Sequence, residues 1–205
     1  MKIVILGAPG AGKGTQARNL AGHLQIAHIA TGDVLREHIR RGTEIGEQIA
    51  HLLEVGALVP DDIVIPLVQE ALGKSDGKFI LDGFPRTLAQ ARSLAGLTDL
   101  DYVIKIDVVD AVIVERMSGR LTCSGCGEMF HTTYRPPAVA GKCDVCSRKL
   151  TQRNDDKAKT VRHRLKLYHG LTKPIEDFYR EKGLFFVIPG IGGIADITGR
   201  ILKIL

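Results

Sequence analysis

The sequence predicts an α/β fold in which a parallel β-sheet is flanked by helices. Three observations point there. Short apolar runs alternate with amphipathic stretches along the whole chain. The runs are continuous and partly β-branched, as strands buried on both faces tend to be. Strand–helix repetition of this kind supplies the crossover that each parallel neighbour needs. At 205 residues, the chain is long enough for one well-buried domain with a small insertion.

The elements follow in order. Lys2–Leu6 is the first strand and Lys13–Leu24 the first helix. A weaker strand at Ala27–Ala30 precedes helical patterns at Asp33–Arg40, Glu44–Glu54 and Asp61–Leu72. Phe79–Leu81 is a strand, Leu88–Leu94 a helix, Tyr102–Ile106 a strand and Ala111–Met117 a helix. A long helical pattern covers about Asp156–Lys182. Pro174 inside it is expected to kink or split the helix, because proline lacks an N–H and its ring crowds the preceding turn. Leu184–Ile188 is the last strand, and a helix from about Ile194 to Ile204 closes the chain. One segment breaks the pattern. From about Leu121 to Thr151 helical periodicity lapses, and four cysteines, paired prolines and several glycines take over. This reads as a separate small module inserted into the α/β domain.

Hydrophobic residues at 44% and charged residues at 25% fit an ordinary soluble globular protein. The apolar run near Ile3–Leu6 is too short for a signal segment or a membrane span, and no other stretch approaches twenty apolar residues. A cytoplasmic protein without membrane contact is therefore expected. The net charge of +5 suits either a lysine-rich surface or a basic cleft for polyanions, and charge alone does not choose.

The run Gly7-Ala8-Pro9-Gly10-Ala11-Gly12-Lys13-Gly14-Thr15-Gln16 follows the first strand directly and opens the first helix. Glycines let backbone N–H groups turn inward around a polyanion. The helix N-terminus adds a positive dipole end and Lys13 a mobile charge. Gly7, Gly12 and Lys13 match the pattern G-x-x-x-x-G-K-[ST], but Gly14 takes the hydroxyl position and Thr15 comes one later. Magnesium is therefore expected to be held mainly by phosphate oxygens and water. A glycine-rich turn without function is the alternative; strand, loop, lysine and helix in the right order argue against it. Asp82 follows the strand Phe79–Leu81 at the sheet's carboxyl edge, where ligands of such sheets bind. It reads as a magnesium anchor acting through water, with a turn or helix-capping aspartate as the alternative.

Cys123-Ser-Gly-Cys126 and Cys143-Asp-Val-Cys146 are two C-x-x-C knuckles separated by sixteen residues. That spacing fits a tetrahedral four-cysteine zinc site. Two disulfides are the competing account and redox catalysis a third; a cytoplasmic setting weighs against the disulfides. With four thiolates filling its coordination sphere, the zinc would be structural. An insertion this small has little core of its own, so a metal is a sensible staple.

The phosphate loop resembles that of the nucleoside monophosphate kinases. Thr31-Gly32-Asp33-Val34-Leu35-Arg36, Asp82-Gly83-Phe84-Pro85-Arg86-Thr87, Gly119-Arg120 and Arg153-Asn154-Asp155-Asp156 narrow the likeness to adenylate kinase. The cysteine module is similar to the zinc-containing lid of that family's long bacterial form. The resemblance covers essentially the whole chain. It implies a phosphate-loop nucleotide-binding sheet carrying an inserted zinc-ribbon-like lid, and reversible transfer of a phosphoryl group from ATP to AMP, giving two ADP. The core would comprise residues 1–29, 60–118 and 157–205, the AMP-binding segment residues 30–59, and the lid residues 119–156. The protein would act as a monomer, without nucleic acid.

The same resemblance implies roles for individual residues. Arg36 and Arg86 would hold the AMP phosphate, with Gly83, Phe84 and Pro85 beside it. Thr31, the backbone at Ala57, Leu58 and Val59, and Gln90 would recognise the AMP nucleoside. Gly10, Ala11, Gly12, Lys13, Gly14 and Thr15 would cradle ATP. Arg120 would clamp the donor phosphates from the lid, and Arg116 would lie against the donor adenine. Met129, Phe130 and Gly192 would line the donor side. Arg153 and Arg164 would bridge the two phosphate groups on closure. Guanidinium groups suit such work because they bind phosphate oxygens bidentately and do not deprotonate.

Three readings stand at this point. The first is adenylate kinase. The second is a kinase of the same fold acting on UMP or CMP; Gln90 favours AMP, since pyrimidine-directed relatives tend to carry asparagine near that position. The third is a non-enzymatic zinc-ribbon protein that binds nucleic acid, although the module lacks a basic stripe with interleaved aromatics. The loop Pro189–Gly193 aligns with the family's adenine-contacting turn, with glycine where lysine is often found.

Overall fold

The computed structural model describes all 205 residues. In chain order the first half comprises β1 (Lys2–Leu6), α1 (Lys13–Leu24), β2 (Ala27–Ala30), α2 (Thr31–Arg40), α3 (Glu44–Val55), α4 (Asp61–Gly73), β3 (Phe79–Asp82) and α5 (Leu88–Leu97). There follow β4 (Tyr102–Asp107), α6 (Asp110–Ser118), β5 (Arg120–Cys123), β6 (Met129–His131) and β7 (Leu150–Thr151). A short 3₁₀ turn (Asn154–Asp156), α7 (Ala158–Glu181), β8 (Phe185–Pro189) and α8 (Ile194–Leu202) complete the chain.

Five parallel strands form the main sheet in the order β2-β3-β1-β4-β8. The continuous apolar character of β1 has a simple cause. Its side chains alternate between two cores, so neither face is free to be polar. Ile3 and Ile5 pack with Ala17 and Leu20 of α1 and with Ile197 and Ile201 of α8. Val4 and Leu6 belong to the opposite core, with Val64 and Leu67 of α4, Leu94 of α5, and Ile175 and Tyr179 of α7. All eight expected helices and five expected sheet strands are present, with ends shifted by a few residues. The last helix stops at Leu202, two residues before the expected Ile204.

The expected break at Pro174 needs correction. One helix, α7, runs for 24 residues from Ala158 to Glu181 straight through the proline. Val161 and Leu165 are buried before it and Ile175 and Tyr179 after it, so packing clamps both halves in register. The carbonyl that loses its partner belongs to Gly170, which is exposed and can be solvated.

The cysteine module contains structure that the sequence did not suggest. β5, β6 and β7 form a small antiparallel sheet in the order β6-β5-β7. Its buried core holds only Cys123, Phe130, Cys143 and Leu150.

Candidate active site

The site begins where β1 ends. Gly7, Gly10 and Gly12 adopt φ of 144°, 88° and 96°, a region that side chains rarely tolerate. A Cβ on Gly7 would lie 2.6 Å from the Ile106 carbonyl oxygen, so the loop passes closer to β4 than any other residue allows. Lys13 opens α1, and its ammonium donates to the carbonyls of Gly7 at 2.8 Å and Ala8 at 2.9 Å. Burial, with Arg86, Arg164 and Arg120 nearby, lowers its pKa from 10.5 to about 8, despite the opposing pull of Asp82.

Gly14, the departure from the usual loop pattern, has a structural explanation. A Cβ there would stand 3.2 Å from both Asp82 Oδ2 and the Met129 methyl. The missing side chain lets the first turn of α1 approach the carboxylate and the lid strand together. Asp82 is the last residue of β3 and lies in register with Ile5 of β1. The carboxylate therefore sits beside the phosphate loop, in the crevice at the strands' carboxyl ends.

A cleft of about 290 Å³ opens over this edge. Lys13, Arg36, Arg86, Arg120, Arg153 and Arg164 all line it. Several of these arginines already have anionic partners. Arg36 donates to Asp33 Oδ1 at 2.6 Å, and Arg164 to Asp155 Oδ2 at 2.6 Å. Arg120 grips the fully buried carboxylate of Asp156 through two donors. Arg153 donates to Thr122 Oγ1 at 2.9 Å and reaches Asp33 at 3.7 Å. Desolvation lowers the Arg153 pKa to about 10, helped by Arg36 and Arg120. Burial alone would raise Asp155, but Arg164, Arg120 and Arg36 outweigh it and hold this carboxyl below its usual range. For the neighbouring Asp156 burial wins over Arg120, and its pKa is raised.

One part of the cleft is bounded by the lid and the last loop. Arg116 donates to the Gly190 carbonyl at 2.9 Å, tying α6 to the turn after β8. Arg200 donates to the Pro189 and Ile191 carbonyls and braces the same turn. Gly192 there has φ 107°, a conformation in which a lysine would be strained. Met129, Phe130, Gly192 and the loop residues Gly10, Ala11, Gly12, Gly14 and Thr15 all border the cleft. The lid rests against the rest of the molecule: Arg18 of α1 pairs with Glu128 at 3.1 Å, and Arg40 of α2 donates to the Gly125 carbonyl.

Thr31 and the residues around Arg86 are more enclosed. Thr31 is buried, and its hydroxyl has no partner. Leu58, Gly83, Phe84, Pro85 and Arg86 line a smaller cavity of about 80 Å³, shared with Lys13 and α7. Val59 is buried in the core, and the Ala57 N–H closes the end of α3 by donating to Leu52 at 2.9 Å. Gln90 borders neither cavity. Its amide oxygen accepts from the Arg86 N–H at 2.7 Å, and its nitrogen donates to Asp61 Oδ1 at 2.7 Å.

In the lid, the four cysteine sulfurs all lie within 4.8 Å of one another. Cys123 and Cys146 sulfurs are 3.3 Å apart, and those of Cys126 and Cys143 3.6 Å. All four are free thiols, so the disulfide account is not met. Zinc–sulfur bonds of about 2.3 Å in a tetrahedron place sulfurs roughly 3.8 Å apart, so this cage fits a structural metal.

Some residues at the cleft escaped the sequence reading. His28 projects from β2 with an unpartnered Nε2, and Asp33 joins two arginines. His131 caps β6: its Nδ1 accepts from the Thr133 and Tyr134 N–H groups, so Nε2 donates to the Arg116 carbonyl. Single histidines carry no spacing signal, whereas Asp33 lies within the run Thr31–Arg36.

Cationic groups at this density around a phosphate loop suit a reaction in which charge must be stabilised on a phosphoryl group in transit. That chemistry places the protein among the phosphate-loop phosphotransferases. The sequence model of adenylate kinase matches residues 5–184. An adenylate kinase of Caldicellulosiruptor bescii is 50% identical over 212 aligned residues, taking in all of this chain and 99% of that protein. Adenylate kinases of Methanothrix thermoacetophila and Lachnospira eligens are 44% and 43% identical, each over the whole of this chain and at least 98% of their own. The chain belongs to the adenylate kinase family. No helix is long and apolar enough to cross a membrane.

Proposed function

We propose that the cleft brings ATP and AMP together and passes the terminal phosphoryl group reversibly between them, giving two ADP. The observation that carries this reading is the convergence of Lys13 and five arginines on the carboxyl edge beside Asp82. The phosphate loop from Gly10 to Thr15 holds the donor phosphates, with Arg120 clamping them from the lid. Arg116, Met129, Phe130 and Gly192 bound the donor base. Arg36 and Arg86 grip the AMP phosphate, beside Gly83, Phe84 and Pro85. Arg153 and Arg164 span both groups in the closed state. Arg36, Arg120 and Arg164 exchange their carboxylate partners for phosphate oxygens. The acceptor phosphate itself attacks, so no side-chain nucleophile is needed.

Residues 30–59 form the AMP-binding segment, residues 119–156 the lid, and the remainder the core. Asp82 has the chemistry to hold magnesium through its water, and Gly14 leaves room for that shell. Magnesium bound with ATP would neutralise charge on its phosphates. Cys123, Cys126, Cys143 and Cys146 hold a structural zinc. The protein works as a cytoplasmic monomer that engages neither membrane nor nucleic acid.

Thr31, the segment Ala57–Val59 and Gln90 recognise the AMP nucleoside. A pyrimidine leaves part of that enclosed polar surface unmatched, and an unmatched buried group costs on the order of 1–3 kcal/mol. AMP is therefore expected to exceed UMP and CMP in kcat/KM by at least about tenfold. Gln90→Ala narrows the gap, chiefly by weakening AMP. Coupled assays with the three monophosphates at one fixed ATP–magnesium concentration check this. Equal or better use of UMP or CMP by the wild type would overturn the acceptor assignment.

A further inference from the structure

The structure assigns to Asp61 the task of fixing which way round the Gln90 amide faces, and with it the preference for a 6-amino over a 6-oxo purine; we infer this as a positioning role, resting on the reading that Gln90 recognises the acceptor base. Asp61 is the first residue of α4, two residues beyond Val59, at the end of the chain segment assigned to the nucleoside. Gln90 stands in the first turn of α5, whose start is set by Thr87 accepting from the Gln90 N–H at 3.1 Å. Gln90 as a whole is 3% exposed, so bulk water contributes little to orienting its amide.

An amide has a donor end and an acceptor end of nearly equal shape, and only its partners decide which end faces where. Here both partners agree. The Asp61 carboxylate offers acceptors only, so it demands the NH₂ end, and it is met at 2.7 Å. The Arg86 backbone N–H is a donor only, so it demands the oxygen, and it is also met at 2.7 Å. Turning the amide over would lose both bonds, setting oxygen against carboxylate and N–H against N–H.

One N–H and one oxygen lone pair remain unused. Adenine presents an acceptor at N1 and a donor at its 6-amino group. A 6-oxopurine reverses both, with an N1–H donor and a 6-oxo acceptor. The two purines thus call for opposite settings of one amide, and Asp61 with Arg86 allows one setting. Sites built to hydrogen-bond a substrate discriminate strongly on this basis. The second anchor is backbone and cannot be changed by substitution, so Asp61 is the adjustable half of the clamp.

The test compares kcat/KM for AMP and inosine monophosphate in the wild type, Asp61→Asn, Asp61→Glu and Gln90→Ala. Asparagine is isosteric but can present either a donor or an acceptor to Gln90. Asp61→Asn is expected to lower the AMP-to-IMP ratio about fivefold, the equivalent of one hydrogen bond, with the KM for ATP and the thermal midpoint unchanged. Asp61→Glu keeps an acceptor-only partner and is expected to retain more of the ratio than Asp61→Asn. Equal losses for both purines in Asp61→Asn would show a merely structural role and overturn the inference, as would the reverse ranking of the two variants. Gln90→Ala separates the two levels. If it collapses the ratio while Asp61→Asn does not, only the orienting role fails. If it leaves the ratio intact, Gln90 does not read the base and the acceptor reading fails with it.

Discussion

Lys13→Met is expected to lower kcat by about 10³-fold while leaving the protein as stable as its parent or more so. The catalytic loss follows from where the charge sits. Lys13 is held across its own loop by the Gly7 and Ala8 carbonyls, facing the point where a phosphoryl group would pass. Preorganised groups of this kind act on charge that develops only during transfer, and methionine replaces the stem without the charge. Stability moves the other way. Lowering the lysine from 10.5 to about 8 means that the empty fold disfavours its cation. At about 1.4 kcal/mol per pH unit this is worth at most roughly 3 kcal/mol, less because water enters the cleft. Between about pH 8 and 10.5 the unfolded chain binds the proton that the folded protein has released, so wild-type stability gains with rising pH across that window. Lys13→Met lacks this gain. Thermal melts at pH 7 and pH 10, beside an ATP–AMP assay, check both halves. Near-normal turnover, or a large drop in melting temperature at pH 7, would refute the placement of Lys13.

Cys143→Ala is expected to lower the thermal midpoint by on the order of 10 °C and to reduce zinc from one per chain to substoichiometric levels. The lid has four buried core residues, two of them cysteines, and three strands of four, three and two residues. Such a unit cannot offset its ordering entropy by apolar burial alone. Turnover at temperatures where the variant stays folded is expected to fall much less than stability, because a four-sulfur cage offers substrate no open position. Elemental analysis, a melt with and without chelator, and a rate measurement at low temperature together check the expectation. Absence of metal in the wild type would refute it. Complete inactivity of a chelated but folded protein would instead give the metal a part in turnover.

Much of this was legible in the residues, for identifiable reasons. β1 and its loop stood out because a strand buried on both faces leaves no polar position, and the glycine pattern then breaks it sharply. The cysteine cage was legible because ligand spacing is local. The lid strands were not: at two to four residues they span at most two alternations and lie among cysteines, glycines and prolines that mask any pattern. Pro174 misled because its cost is local while the packing that overrides it, from Val161 to Tyr179, is tertiary. Asp61 and Gln90 are 29 positions apart, and nothing in the spacing announces their bond.

The carboxylates already paired with the cleft arginines change what substrate binding means. Asp33, Asp155 and Asp156 satisfy Arg36, Arg164 and Arg120 before any nucleotide arrives. Capture of a phosphate is then an exchange of one anion for another, and only the difference between them favours binding. A reversible reaction gains from this levelling, because no single nucleotide state becomes a trap. The same acids offset part of the cleft's positive charge while the site waits, and the rest is felt as mutual repulsion, which joins desolvation in lowering the pKa of Arg153. Turnover becomes a relay in which carboxylate and phosphate alternate on fixed cationic posts.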